Sequence, residues 1–429
     1  MSVAPHPTTR TTSELISDCV HCGFCLPACP TYRSWGNEPD SPRGRIDLMK
    51  GLEEGTLDLS DAVVEHFDAC LGCMACVTAC PSGVRYDLLI ESTRAKVETG
   101  YQRTQAERGF RELIFSLFPY PERLAALSVP LLVYARSGLQ KLVRASKVLD
   151  RLSARLAQLE ALMPDISLAD VRPTLPRDVA AHGTLRGRVA LVAGCVQRTF
   201  FPNVNTATLR VLSAEGFDVA VPVGQGCCGA LSLHAGRAEE ARRIARALIE
   251  RFEGHWVEAI LVNAAGCGAT LKQYGELFAG DEAWRERAER FAEKVLDVNE
   301  FLARYEPVAP RRAMPLRVAY HDACHLAHAQ RVRAQPRALL QTIPQLELVE
   351  IPDGDQCCGS AGVYNLFEPE SAREIGERKV DNVLAVAPDV LASANPGCTL
   401  QIRSLLRKRG KTLLAAHPME ILDAAIERA

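Results

Sequence analysis

Cys19-Val-His-Cys22-Gly-Phe-Cys25-Leu-Pro-Ala-Cys29-Pro30 is the stretch on which the fold turns, and it recurs as Cys70-Leu-Gly-Cys73-Met-Ala-Cys76-Val-Thr-Ala-Cys80-Pro81. Both runs have the Cys-x2-Cys-x2-Cys-x3-Cys-Pro spacing of bacterial two-cluster ferredoxins. Three thiolates at that spacing wrap one face of a cubane. The fourth is turned away by the proline and ligates the other cluster. The expected arrangement is therefore two [4Fe–4S] clusters with crossed ligands, one on Cys19, Cys22, Cys25 and Cys80, the other on Cys70, Cys73, Cys76 and Cys29. Zinc is the competing occupant. It favours a tetrahedron built from two separated Cys-x2-Cys pairs, whereas here four cysteines fall within eleven residues, twice.

Forty residues separate Cys29 from Cys70. Ile46–Glu54 and Ser60–Asp68 read as helices within this insert, so the first domain is expected to be an α-helical ferredoxin-like unit. Pro42-Arg-Gly-Arg-Ile46 lies there too. Arg43 and Arg45 either offset the negative charge of the clusters or pair with Glu38 and Asp40 at the surface.

Beyond residue 187 the chain repeats itself. Val189-Ala-Leu-Val-Ala-Gly-Cys195 matches Val318-Ala-Tyr-His-Asp-Ala-Cys324, Gln225-Gly-Cys-Cys-Gly229 matches Asp355-Gln-Cys-Cys-Gly359, and Leu261-Val-Asn-Ala-Ala-Gly-Cys267 matches Leu391-Ala-Ser-Ala-Asn-Pro-Gly-Cys398. The offsets are 129 residues from Cys195 to Cys324, 130 from Cys227 to Cys357 and 131 from Cys267 to Cys398. Short β-rich runs at 188–193, 217–222 and 259–263, then 316–321, 347–351 and 390–394, alternate with helical patterns such as Glu239–Phe252. That alternation predicts a duplicated α/β region on parallel sheets. Open α/β sheets bind ligands beyond the carboxyl ends of their strands, and in each copy two of the cysteine positions sit just past a predicted strand end.

Cys195, Cys227, Cys228 and Cys267 in one copy, and Cys324, Cys357, Cys358 and Cys398 in the other, form a candidate further site for iron–sulfur chemistry. The glycine after each pair allows a tight backbone turn. The alternatives are cysteines packed as small hydrophobes or a vicinal redox disulfide. His234, His321, His325 and His328 lie near these motifs and are expected to be helix-surface or supporting groups rather than ligands. The sequence offers no catalytic acid or base.

The predicted organisation is a flexible N-terminus over 1–13, a two-cluster domain over 14–105, a helical bridge and linker over 106–187, and Cys-Cys-Gly domains over 188–309 and 310–429. Residues 137–162 carry helical periodicity, and 163–187 read as linker. The net charge of −2 and pI of about 6.6 give no footprint for nucleic acid. No secretory or twin-arginine signal opens the chain, so a reducing cytoplasmic location is expected. The longest apolar stretch, Leu113–Ala135, is interrupted by Pro119, Pro121, Glu122, Arg123 and Pro130, so no membrane span is expected. With Arg111, Arg136, Lys141 and Arg144 nearby, that stretch reads either as a helical bridge packed on the other domains, the preferred reading, or as a peripheral contact with the inner face of the membrane.

Taken together, Asp18-Cys-Val-His-Cys-Gly-Phe-Cys-Leu-Pro-Ala-Cys-Pro30, Pro42-Arg-Gly-Arg-Ile46, Cys80-Pro-Ser-Gly-Val-Arg-Tyr86 and the two Cys-Cys-Gly units resemble the glycolate oxidase iron–sulfur subunits. Tyr320-His-Asp-Ala-Cys-His-Leu-Ala-His-Ala-Gln330 and Cys357-Cys-Gly-Ser-Ala-Gly-Val-Tyr-Asn365 favour that branch. The wider group includes lactate-utilisation, anaerobic glycerol-3-phosphate dehydrogenase and heterodisulfide reductase subunits. The resemblance implies an electron-transfer subunit served by FAD-containing glycolate oxidase subunits, which oxidise glycolate to glyoxylate, with a quinone as acceptor. The alternatives are a lactate or glycerol-3-phosphate dehydrogenase subunit, or a heterodisulfide-reductase-like thiol–disulfide enzyme. In heterodisulfide reductases the unit ends Cys-x2-Cys. Here Thr270 and Gln401 stand at the last position. The chain shows no Gly-x-Gly-x-x-Gly dinucleotide fingerprint, which places the flavin on a partner.

Overall fold

Ser41 accepts a hydrogen bond from Gly44 N at 3.0 Å and Pro42 takes the first helical position, so the first long helix runs Pro42–Glu53. That is four residues earlier than periodicity predicted, because the cap and the N1 proline set the start rather than the apolar stripe. Gly44 is required there, since a Cβ would lie 2.0 Å from Glu38 O. The computed structural model describes residues 10–164 and 175–427. Residues 1–9 of the predicted N-terminal segment and 165–174 of the predicted linker lie outside the described residues.

The first region is helical. Helices Thr12–Ser17, Pro42–Glu53, Asp61–Asp68 and Tyr86–Gly100 bury Leu15, Ile46, Met49, Val64, Phe67, Leu89 and Ile90 against one another. The cysteine runs occupy the irregular loops between them. Next comes a helical segment with Gln105–Leu117, Pro121–Arg136, Leu139–Ser146, Val148–Leu152 and Ala154–Ala161. It touches both later units. Ile114 and Phe115 pack with Leu231, Val363 and Leu366, and Pro121–Arg136 lies against Val196–Phe200.

The rest is two copies of one α/β unit. Strands β1 (Asp178–Val179), β2 (Gly187–Val192), β3 (Phe217–Ala220), β4 (Ala259–Val262) and β5 (Val295–Asp297) form a sheet in the order β1-β3-β2-β4-β5. Strands β6 (Arg317–His321), β7 (Glu347–Glu350), β8 (Val390–Ser393) and β9 (Leu414–Ala416) form a second in the order β7-β6-β8-β9. Every pairing is parallel except β1 with β3. The six predicted strands are all present. Four-residue runs such as β4 and β8 are buried throughout, as sheets covered on both faces require. The edge strands β1, β5 and β9 went unpredicted, since two or three residues carry no readable alternation. Helix Ala238–Phe252 buries Ala241, Ile244, Ala245, Leu248, Ile249 and Phe252, a clean helical stripe against its sheet.

In both sheets the strand order reverses around the first strand of the repeat, β2 or β6. Such a switch point leaves a crevice beyond the strand ends. The cysteines of each copy come from the segments that follow its first three strands.

Candidate metal centres

In the two N-terminal loops the backbone repeats one conformation. His21 and Gly23 flank Cys22 with φ of 52° and 85°, and Gly72 and Met74 flank Cys73 with φ of 61° and 63°. Left-handed residues alternating with ordinary ones turn successive N–H groups toward one point, a shape suited to anionic centres. Gly72 N already donates to Cys70 Sγ at 3.4 Å. Cys19, Cys22, Cys25 and Cys80 line one cavity, together with Cys76, Phe24, Arg43 and Pro81. Cys29, Cys70, Cys73 and Cys76 line a second, together with Thr31, Arg45 and Tyr86. Cys80 thus joins the first run's cavity and Cys29 the second run's, while Cys76 lines both. Four thiols around a cavity, with N–H groups and a cation beside it, suit an iron–sulfur cluster.

The two cavities differ in setting. Cys22 is exposed, with Cys19, Cys25 and Cys80 half-buried, whereas Cys29, Cys70, Cys73 and Cys76 are buried. Arg45 is 1% exposed and donates to Asp40 O at 2.6 Å and His66 O at 2.6 Å. Burial opposes its charge, but the Cys70 and Cys29 thiols, Tyr86 and Asp40 hold it above the ordinary guanidinium value. Arg94 donates to Cys70 O. Burial resists ionisation of Cys70, yet Arg45 and Arg94 bring its thiol below the usual range. The two arginines of the Pro42 motif each combine the two roles read from sequence, Arg45 pairing with Asp40 and Arg43 lining the outer cavity. Arg45 sits against the buried thiols, and Arg43 pairs with Glu38 at 2.5 Å.

In the first Cys-Cys-Gly unit Cys195 Sγ lies 3.5 Å from Cys227 Sγ, and the thiols continue in contact through Cys228 to Cys267. The second unit repeats the chain from Cys324 through Cys357 and Cys358 to Cys398. Thiol–thiol contact and burial push Cys195 and Cys324 well above the ordinary thiol value. None of these cysteines is joined in a disulfide. Gly359 has a φ of 82°, and a Cβ there would lie 2.3 Å from Ala372 O, which accounts for the glycine after the pair.

The second unit abuts the ferredoxin-like region. Leu71, Cys73 and Ala75 share one buried cluster with Cys324, Cys357 and Tyr364, and the Cys73 thiol feels both Cys324 and Cys357 electrostatically. On the other side, Cys76 senses Cys25. An exposed thiol set, a buried one and the second unit are thus neighbours in that order.

The histidines part company. His328 is occupied on both nitrogens, by Thr78 Oγ1 at 3.0 Å and Asp355 O at 3.1 Å. His234 meets Glu91 at 2.9 Å and stacks on His325 at 5.1 Å between ring centroids. His325 begins a π-helical turn, His325–Ala329, directly after Cys324, a device frequent at functional sites. His321 ends β6 beside Cys358 and Cys398. Burial, then the Lys379 charge, push it down to about 3, so its ring is neutral.

Lys379 was missed from sequence. It is 2% exposed and donates to Asp353 O at 2.8 Å and Gly354 O at 3.0 Å, near Cys357 and Cys358. A signal existed: Lys379 interrupts the buried stripe of Ala372, Ile375, Val380 and Val383 on helix Pro369–Ala385. The terminal positions of the motif are not ligand-like. Gln401 donates to Ala372 O at 3.2 Å and accepts from Asn365 and Gln158.

Known families match the chain in the same order. Residues 15–84 match the 4Fe-4S dicluster domain, residues 106–163 the linker region of the glycolate oxidase iron-sulfur subunit, and residues 189–272 and 318–403 the cysteine-rich CCG domain. The chain is 38% identical over 415 residues to the probable glycolate oxidase iron-sulfur subunit of Bacillus subtilis, covering 95% of this chain and 93% of that one. It is 35% identical over 422 residues to the glycolate oxidase iron-sulfur subunit of Escherichia coli, covering 97% and 95%. Lactate utilization protein A of Exiguobacterium is 31% identical over 242 residues, 56% of this chain and 99% of that one.

Proposed function

The chain belongs to the glycolate oxidase iron–sulfur subunit family, and from that premise we propose that it takes electrons from a flavin-bearing partner at its exposed cysteine loop and passes them inward to the second Cys-Cys-Gly unit. It is an electron-carrying subunit of a glycolate-oxidising complex, and the hydroxy acid is oxidised on partner chains. Glycolate loses two electrons and two protons to become glyoxylate. When bound, [4Fe–4S] clusters accept and release electrons singly.

The proposed ligands are Cys19, Cys22, Cys25 and Cys80 for the outer cluster and Cys70, Cys73, Cys76 and Cys29 for the inner one. Further iron–sulfur ligation falls to the two Cys-Cys-Gly units. The observation that carries the reading is the sequence of neighbours from exposed Cys22 through Cys25 and Cys76 to Cys73 against Cys324. Val20 at 68% and Phe24 at 64% exposure flank the outer loop and offer an apolar docking edge for the flavoprotein. Arg45 and Arg94 offset thiolate charge at the inner site.

The proposed acceptor is a quinone, which takes up two electrons and two protons to become a quinol. No helix among the described residues is long and apolar enough to cross a membrane. The supporting feature for peripheral contact, on the cytoplasmic face, is helix Leu139–Ser146. It buries no residue and exposes Leu139 and Leu142 beside Lys141, and Val129 and Val133 are exposed on the preceding helix.

Anaerobic purification with the native partners, followed by iron and sulfide counting, tests the reading. About eight irons per chain correspond to the two N-terminal clusters, and a larger count places metal in the Cys-Cys-Gly units as well. A colourless protein that holds zinc and no iron overturns it.

A further inference from the structure

The two Cys-Cys-Gly units share one fold and four cysteines each, yet they differ at positions near the thiols: His325 follows Cys324 where Val196 follows Cys195, and two further differences bear on the ligand set. The last residue of β2 is Val192, and its counterpart at the end of β6 is His321. A ligand nitrogen of His321 and the sulfurs of Cys358 and Cys398 lie within 4.8 Å of one another. The His321 side chain is 1% exposed, and neither ring nitrogen has a hydrogen-bond partner. A buried imidazole with both nitrogens unpaired is costly. A metal between the ring and the two sulfurs satisfies one of those nitrogens.

The second difference is the charge. Gly229 packs on Ala241 and Gly359 on Ala372, which aligns the helices that follow. Seven residues further on, the first unit has Leu248 and the second has Lys379. A buried ammonium thus faces Cys357 and Cys358 only in the second copy. Gln401, at the place where the related motif has a cysteine, is held by Ala372, Asn365 and Gln158. A ligand is missing on the helix, and a free imidazole stands on the strand.

We propose that the second Cys-Cys-Gly unit is a mixed sulfur–nitrogen iron centre in which His321 ligates metal alongside Cys358 and Cys398, with Cys324 and Cys357 completing the sulfur set. The first unit, with Val192, is an all-sulfur site. This rests on the reading that the units hold iron–sulfur centres. A neutral imidazole where the related motif supplies a fifth thiolate leaves the ligand set one negative charge smaller than that motif's, and histidine in place of cysteine raises a centre's reduction potential. The second unit touches the inner N-terminal site through Cys73, so this centre stands next in line for electrons leaving the ferredoxin-like region.

The test is pulsed EPR on the full chain in its native complex, labelled with 15N-histidine and poised through a redox titration, with iron counted on the same samples. The wild type is expected to hold more than about eight irons and to show strong histidine-nitrogen coupling on one centre. His321→Cys keeps the iron count, loses the coupling and shifts that centre to lower potential. His321→Ala loses iron from that centre and keeps both N-terminal signals. A count above eight with no nitrogen coupling in the wild type, or coupling that survives His321→Cys, overturns the histidine assignment and leaves the electron-transfer reading standing. A count of about eight removes metal from the units, and the assignment falls with it.

Discussion

Cys73, in the second N-terminal loop, and Cys324, just past the end of β6, pack into one buried cluster although they belong to different folded units. The contact joins the ferredoxin-like region to the duplicated region at the sulfur atoms themselves. Cys324→Ser is expected to leave both N-terminal EPR signals intact in amplitude. It removes the spin–spin broadening of the inner signal by its neighbour in fully reduced protein, and it slows reoxidation by a quinone analogue. EPR line shapes and stopped-flow traces of the same variant check both parts.

Arg45 is buried among Asp40, Thr31 and the inner thiols. Arg45→Met keeps most of the side-chain volume and leaves Asp40 without its buried cation. Breaking a buried pair in this way costs roughly 3–5 kcal/mol, to be read from anaerobic denaturant titration. The lost positive charge also lowers the potential of the inner centre while the outer one stays near its original value.

The crossed ligand sets predict reciprocal effects. Cys29→Ser disturbs the buried centre that shares Cys70, Cys73 and Cys76, and Cys80→Ser disturbs the exposed one with Cys19, Cys22 and Cys25. EPR of the two variants, each compared with the wild type, reads the pattern. A Cys29→Ser change confined to the exposed centre contradicts it.

Glu368 lines the cavity where the helical segment meets the ferredoxin-like region, beside Asp68 and Tyr364. Burial, followed by the Asp68 charge, pushes its carboxyl up to about 7. The folded protein thus binds this proton more tightly than the unfolded chain does. The resulting stability is complete below the unfolded pKa and is lost as pH rises toward about 7. Glu368→Gln, which stays neutral, should gain on the wild type in denaturation midpoint between about pH 4.5 and about pH 7, and hold that gain above it. A constant difference across that range contradicts the burial argument.

How much of this was legible in the sequence depends on range. The spacing of Cys19 to Cys29 and Cys70 to Cys80 is local, so the two cysteine loops could be read directly. The repeated Val189 and Val318 strands carried their register in short buried runs. Edge strands β1 and β9 are too short for a pattern and form only because a neighbouring strand offers free backbone groups. Arg43 and Arg45, two residues apart, could not be told apart until the Pro42 helix turned one inward and the other toward Glu38. The contrast of His321 with Val192 stands in the aligned repeats, but only the fold places that ring beside Cys358 and Cys398 and buries Lys379 near the cysteine pair. The contact of Cys73 with Cys324 is tertiary, and no sequence pattern encodes it.

The most direct test of the central claim is rapid mixing of glycolate with the oxidised native complex, frozen at successive times for EPR. The account predicts that the exposed centre of Cys19, Cys22, Cys25 and Cys80 is reduced as the flavin signal decays, and the buried centres after it. Iron–sulfur signals that stay oxidised while glycolate reduces both the flavin and the final acceptor would contradict it.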